Sequence, residues 1–266
     1  MSTVVNGVGE ILQRCREEGR AALVGYLPVG FPTVEGSLEA MRVLVEAGCD
    51  IVEVGVPYSD PLMDGPVIQH AASTALAGGA RVDDVFRATQ AVRDAGGAAL
   101  VMTYWNLVLR RGVERFAAEL AAAGGSGLIT PDLIPEEAGP WLAAADTNAL
   151  DRVFLVAPSS TPERLAVAAG ASRGFVYAAS TMGVTGTRDT VGSAAADLVA
   201  RTRVVTDLPV CVGLGVSTRE QAAAVARFAD GVIVGSALVR ALADGGVPAL
   251  REATAELAAG VREGRG

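Results

Sequence analysis

The sequence predicts an α/β fold, a single (β/α)8 barrel occupying residues 1–266 with an extra helix at its N-terminus. Three observations lead there. Eight short apolar runs alternate with eight helical stretches, the rhythm of parallel strands joined by crossover helices. No proline- or serine-rich linker divides the 266 residues, and with half of them apolar the chain can bury one large core. The loops after the seventh and eighth runs are glycine-rich, at the two places where such barrels commonly seat a phosphate. An open doubly wound sheet is the alternative architecture.

Taken in order, Val4 to Gly19 carries apolar residues at helical spacing and ends on a glycine, a helix placed to lid the bottom of a barrel. Ala21 to Leu27 is the first strand. Thr33 is placed to cap a helix over Val34 to Ala47, and Gly48 closes it. The second strand covers residues 51 to 56, followed by an acidic loop and by helices over Val67 to Leu76 and Val82 to Ala95. Ala98 to Tyr104 is the third strand, then Trp105-Asn106 and a helix over Gly112 to Ala123. Gly127 to Thr130 is the fourth, leading to a helix from near Glu136. Arg152 to Val156 is the fifth, with Thr161 as the next cap and Pro162 in the first turn. Gly174 to Ala179 is the sixth, with a helix from about Ser193 to Thr202. Pro209 to Val212 is the seventh, before a helix over Thr218 to Phe228. Gly231 to Val234 is the eighth, with Gly235-Ser236 opening a helix that runs to Leu242.

The second strand holds the residue that most needs a reason. Alternation puts Val52, Val54 and Val56 on one face and Ile51, Glu53, Gly55 and Pro57 on the other. A carboxylate in mid-strand is costly to bury, so Glu53 implies a task or a partner. Gly55 and Pro57 are small, which leaves room above it for something that is not protein. A second acid, Asp64, stands before Gly65-Pro66 in the loop that follows. Aspartate before glycine is a turn residue first, and gains functional weight from its nearness to Glu53. Two carboxylates, one on a rigid strand and one on the loop at its end, suit a reaction in which a proton moves and a cation is held.

The composition narrows the chemistry. All 22 basic residues are arginine, so a Schiff-base lysine, a pyridoxal phosphate anchor in this chain and a P-loop lysine are excluded. His70 is the single histidine, which excludes a three-histidine zinc site, and no metal is expected. It reads as an exposed or capping side chain. Cys15, Cys49 and Cys211 are odd in number and widely spaced, and read as reduced core residues. A net charge of −8 speaks against nucleic-acid or anionic-membrane partners. Neither a long apolar span nor a leader pattern is evident, so a cytoplasmic location is expected.

Gly213-Leu214-Gly215-Val216-Ser217 and Gly235-Ser236-Ala237 form the expected phosphate loops: glycines admit close backbone approach, and the helix beginning near Ser236 points its first amides at an anion. The loop after the sixth strand contains Gly183 and Gly186 and is a candidate lid. Tyr104 and Tyr177 fall near strand ends, as pocket walls or as core. Trp105 and Phe31, in mouth loops, are candidates to face a partner.

At these residues the chain resembles the tryptophan synthase α subunit family. The stretch Glu53-Val54-Gly55-Val56-Pro57-Tyr58-Ser59-Asp60-Pro61-Leu62-Met63-Asp64-Gly65-Pro66 is similar to that family's signature, and further matches run from about residue 20 to 240. The resemblance implies cleavage of indole-3-glycerol phosphate to indole and glyceraldehyde 3-phosphate, without metal or cofactor in this subunit. It implies that Glu53 is the acid/base and that Asp64 holds the indole N–H. Tyr26, Leu100, Tyr104, Tyr177 and Thr185 would seat the substrate, and Gly186, Gly215, Gly235 and Ser236 would hold its phosphate. It also implies a partner, the pyridoxal phosphate-bearing β subunit in an α2β2 heterotetramer, docked over the mouth at Pro57, Asp60, Asn106 and Asp132. Thr181 and Ile134 depart from residues common in that family. A sugar-phosphate epimerase or isomerase, or indole-3-glycerol phosphate synthase, would bring a metal cluster or a lysine that this chain lacks. A non-catalytic regulatory subunit would not need both acids, whereas a stand-alone lyase would share the chemistry.

Overall fold

The computed structural model describes residues 7–180, 188–213 and 215–264, with the side chains of 188–191 left aside. In chain order the elements are α1 (Val8–Glu17), β1 (Ala22–Pro28), α2 (Val34–Glu46), β2 (Ile51–Gly55), α3 (Pro66–Ala77), α4 (Val82–Asp94), β3 (Ala98–Met102), α5 (Trp105–Arg111), α6 (Val113–Ala122) and β4 (Gly127–Ile129). A 3-10 turn (Pro135–Glu137) then leads to α7 (Gly139–Thr147), β5 (Asp151–Val153), β6 (Leu155–Val156), α8 (Pro162–Ala171), β7 (Val176–Ala179), α9 (Arg188–Arg203), β8 (Val210–Gly213), α10 (Arg219–Ala226), β9 (Gly231–Val234) and α11 (Ser236–Glu263).

All strand pairs are parallel, in the order β5-β4-β3-β2-β1-β9-β8-β7-β6. The two ends of that sheet, β5 and β6, are joined through Phe154 alone, so the ring closes through the chain itself. The fifth strand expected from the sequence is thus split: its first half pairs with β4 and its second with β7. Four other expectations are corrected. A short helix, α5, stands where only Trp105-Asn106 and a loop were read. The helix expected from Ser193 begins at Arg188. Helical structure continues past Leu242 to Glu263, across a break at Gly246 (φ 64°). Phe31 is buried in the core rather than turned toward a partner.

Strands buried on both faces explain the Val- and Ala-rich runs. One core lies between the barrel and its helices; a second fills the barrel interior with Ala22, Val24, Ile51, Ala98, Leu100, Ile129, Val153, Cys211 and Ile233. Helix α1 closes the bottom of that interior with Val8, Leu12 and Cys15. Two carboxylates pin it there: Asp151 accepts from the Val8 amide at 2.9 Å, and buried Asp230 pairs with Arg16 at 3.2 Å. Thr33, Thr161 and Thr218 each accept the amide three residues on, so three helix starts are set by local hydroxyls. With the bottom sealed, the interior opens at the other end, where the strands finish.

Candidate active site

A cavity of about 670 Å³ lies at the C-terminal ends of the strands, lined by residues of β1, β2, β3, β6, β7, β8 and β9 and of the loop before α3. Glu53 lines it from the middle of β2. Its side chain is 1% exposed, and its buried Oε1 has no hydrogen-bond partner among the described residues. No cation among the described residues relieves it, and burial pushes the carboxyl up to about 8. A group this costly, aimed into a cavity, is held there by the register of the sheet: Glu53 stands between Tyr26 on β1 and Leu100 on β3.

The space above Glu53 is shaped differently from the expectation. Gly55 does leave room, but the ring of Tyr26 takes it: a Cβ at Gly55 would lie 2.4 Å from the Tyr26 hydroxyl. Across the barrel a Cβ at Gly213 would lie 2.8 Å from the Tyr177 hydroxyl. Two strand-end glycines thus admit two tyrosines, both lining the cavity, and burial raises the pKa of each phenol, with Glu53 adding to the effect. Gly55→Ala is expected to force Tyr26 aside and to destabilise the chain by about 1–3 kcal/mol, read by urea unfolding.

Asp64 lines the same cavity from the loop, half-buried. Burial raises its pKa, and Tyr104 opposes that rise. The polar rim is built from Gly213, Gly215, Gly235 and Ser236. Gly215 has φ 67°, a backbone open chiefly to glycine. Helix α11 begins at Ser236 without a side-chain cap, so its first amides keep their donors for a ligand. The arrangement can move a proton at one wall, hold a polar group at the loop and bind an anion at the rim.

The structure thus brings together Glu53, Asp64, Tyr26, Tyr177, Gly215, Gly235 and Ser236. Thr185 and Gly186, with Thr181 and Gly183 of the expected lid, lie outside the described residues. Leu100 and Tyr104 do not line the cavity. Leu100 is buried in the barrel interior beside Glu53, and the cavity position on β3 belongs to Met102, two residues further along the same face. Sequence reasoning missed Met102, Leu155, Ile68 and Ile233; inward alternation toward the strand ends was the available signal for Met102 and Leu155. Outside the cavity, Asp60 is exposed and accepts from Ser59, Pro57 is buried, and Asn106 is exposed on α5. Asp132 accepts the first α5 amide, that of Trp105, at 3.0 and 3.1 Å. His70 is exposed and the three cysteines are buried and unpaired. No group of three or more His, Cys, Asp or Glu that could hold a metal occurs among the described residues.

Comparison with known proteins agrees with this geometry. The family model described as tryptophan synthase alpha chain matches residues 12–263. The tryptophan synthase alpha chain of Mycobacterium marinum is 67% identical over 256 residues, 96% of this chain and 95% of the relative. A solved structure of Mycobacterium tuberculosis tryptophan synthase superposes with a TM-score of 0.92 at 63% identity, covering 96% of this chain and 98% of that one. A tryptophan synthase subunit alpha from Legionella pneumophila superposes with a TM-score of 0.86 at 30% identity, covering 97% of each chain. With the family model spanning nearly the whole barrel, and relatives matched over nearly their full length, this chain belongs to the tryptophan synthase alpha chain family.

Proposed function

We propose that Glu53 moves the protons and Asp64 steadies the ring nitrogen in the reaction of this family, the retro-aldol cleavage of indole-3-glycerol phosphate to indole and glyceraldehyde 3-phosphate. The observation that carries this reading is the buried Glu53 carboxyl, its Oε1 without a hydrogen-bond partner among the described residues, in the wall of a cavity whose rim is glycine backbone and a helix N-terminus. Protonated Glu53 gives its proton to indole C3, which leaves a positive charge shared with the ring nitrogen. Asp64 accepts a hydrogen bond from that N–H as the charge develops. Ionised Glu53 then takes the proton of the hydroxyl beside the ring. The carbon–carbon bond breaks, its electrons return to the ring, and the aldehyde leaves. The ring is its own electron sink, so no lysine is required.

The amides of Gly215, Gly235 and Ser236, joined by Gly186, hold the phosphate. Tyr26, Tyr177 and Met102 wall the substrate, Thr185 helps to seat it, and Leu100 stands behind Glu53. The chain works as one barrel domain in the cytoplasm and binds no nucleic acid. No helix among the described residues is long and apolar enough to cross a membrane. The family pairs with a β subunit, to which pyridoxal phosphate belongs and to which indole passes; this chain needs no cofactor of its own and assembles as α2β2. Exposed Leu62, Met63, Leu109 and Ile134 lie close in sequence to Pro57, Asp60, Asn106 and Asp132 and give that docking face its apolar part.

The test is release of indole from indole-3-glycerol phosphate by the purified chain, alone and mixed with a β subunit. A large rise on mixing is expected; equal rates would mark a stand-alone lyase, and no indole in either would refute the assignment. The first step needs protonated Glu53, so the rate should be level at neutral pH and fall about tenfold per pH unit above about 8. A rate that climbs through that range would contradict the acid role.

A further inference from the structure

The Tyr104 side chain does not line the cavity, yet it is tied to the loop that does. Its phenolic oxygen accepts two backbone hydrogen bonds, from the Leu62 amide at 2.9 Å and from the Met63 amide at 3.2 Å, the two residues before Asp64. Its ring stacks on Tyr58 at 4.6 Å between centroids and 29° between planes, which holds the start of the same loop. A phenol has two lone pairs and one proton. The two amides occupy the lone pairs, which fixes the two residues before Asp64 to one ring, and Tyr104 opposes the rise that burial causes in the Asp64 pKa.

The backbone of Tyr104 is fixed in turn. It is the residue before α5, its carbonyl accepts from the Leu107 amide and the Thr103 hydroxyl, and the next amide, of Trp105, is bound by both Asp132 oxygens. One side chain therefore joins the α5–Asp132 corner to the loop carrying Asp64.

We infer that Tyr104 is a positioning residue: its hydroxyl pins the Leu62–Asp64 loop by accepting two amides, and so sets where the Asp64 carboxylate stands. The inference rests on the role proposed for Asp64, and it moves Tyr104 from the substrate wall to the support behind it. A residue with this job acts only through Asp64, which separates it from one that touches substrate.

Tyr104→Phe keeps the ring and the stack on Tyr58 and removes only the hydroxyl. In the full chain mixed with its β subunit, kcat/KM for indole-3-glycerol phosphate should fall about 10- to 100-fold. In an Asp64→Asn background the same change should cost less than about threefold, because the carboxylate that it served is gone. Independently of any turnover, amide hydrogen exchange at Leu62 and Met63 should quicken by about tenfold or more, while the β2 amides stay unchanged. An equal rate loss in both backgrounds would overturn the inference, and so would unchanged exchange at the two loop amides. If Asp64→Asn cleaves substrate normally while Tyr104→Phe still speeds that exchange, the pin is supported, and what falls is the role proposed for Asp64.

Discussion

Glu53→Gln is expected to lower indole release from indole-3-glycerol phosphate by about 10²- to 10⁴-fold, the usual contribution of a positioned acid/base. Glutamine has nearly the same volume and a polar tip, so the β2 register and the neighbouring Tyr26 and Leu100 are left in place. What it lacks is a proton to give at C3 and a lone pair basic enough to take one back. Both steps of the proposed cycle pass through the same oxygens, and no other titratable side chain among the described residues that line the cavity stands at that position on β2. Binding of glycerol 3-phosphate, followed by calorimetry, should be unchanged because the rim glycines and the α11 terminus are untouched. Near-normal turnover of the variant would remove Glu53 from the mechanism; loss of glycerol 3-phosphate binding would instead mean that the cavity had been distorted.

The same substitution should make the protein more stable, by an amount set by pH. Burial raises Glu53 from its ordinary 4.5 to about 8. Below about pH 4.5 the carboxyl is neutral in both the folded and the unfolded chain, and glutamine brings little gain. Between about 4.5 and 8 the unfolded chain ionises while the folded one stays protonated. Native stability is then lost at about 1.4 kcal/mol per pH unit relative to the variant. Above about 8 the difference levels off, at on the order of 5 kcal/mol. Urea unfolding of both proteins at pH 5 and pH 9 measures it: a small gap at pH 5 and a wide one at pH 9 is the expected result. A gap that narrows as pH rises would mean that the folded protein stabilises the ionised carboxylate, contrary to a partnerless Oε1. The acid that the reaction needs is thus a standing cost to the fold, as expected of a site held ready for chemistry.

How much was legible beforehand follows the range of each interaction. The alternation of β2 placed Glu53 on the inner face, and the structure finds it there because side-chain direction in a strand is a property of neighbouring residues. Thr33, Thr161 and Thr218 cap helices through hydroxyls bonded to amides three residues away, so those boundaries were readable locally. The glycines after the last two strands took their meaning from their place in the barrel, and they line the cavity. What failed to appear was long-range. Phe154 breaks the fifth strand because its two halves must serve different neighbours to close the ring. The ring of Tyr26 fills the space over Gly55 from another strand, and Tyr104 holds amides more than forty residues earlier in the chain.

By itself the sequence determined the barrel, the two acids and the absence of lysine chemistry, because periodicity, caps and composition are written in adjacent residues. The tertiary structure alone decided that the Glu53 Oε1 is buried without a hydrogen-bond partner among the described residues, that Met102 rather than Leu100 faces the cavity, and that Tyr104 turns from the cavity to the Asp64 loop. Those outcomes depend on which side chain from a distant strand or loop reaches a given space first, and packing at close range settles that only once the ring has closed.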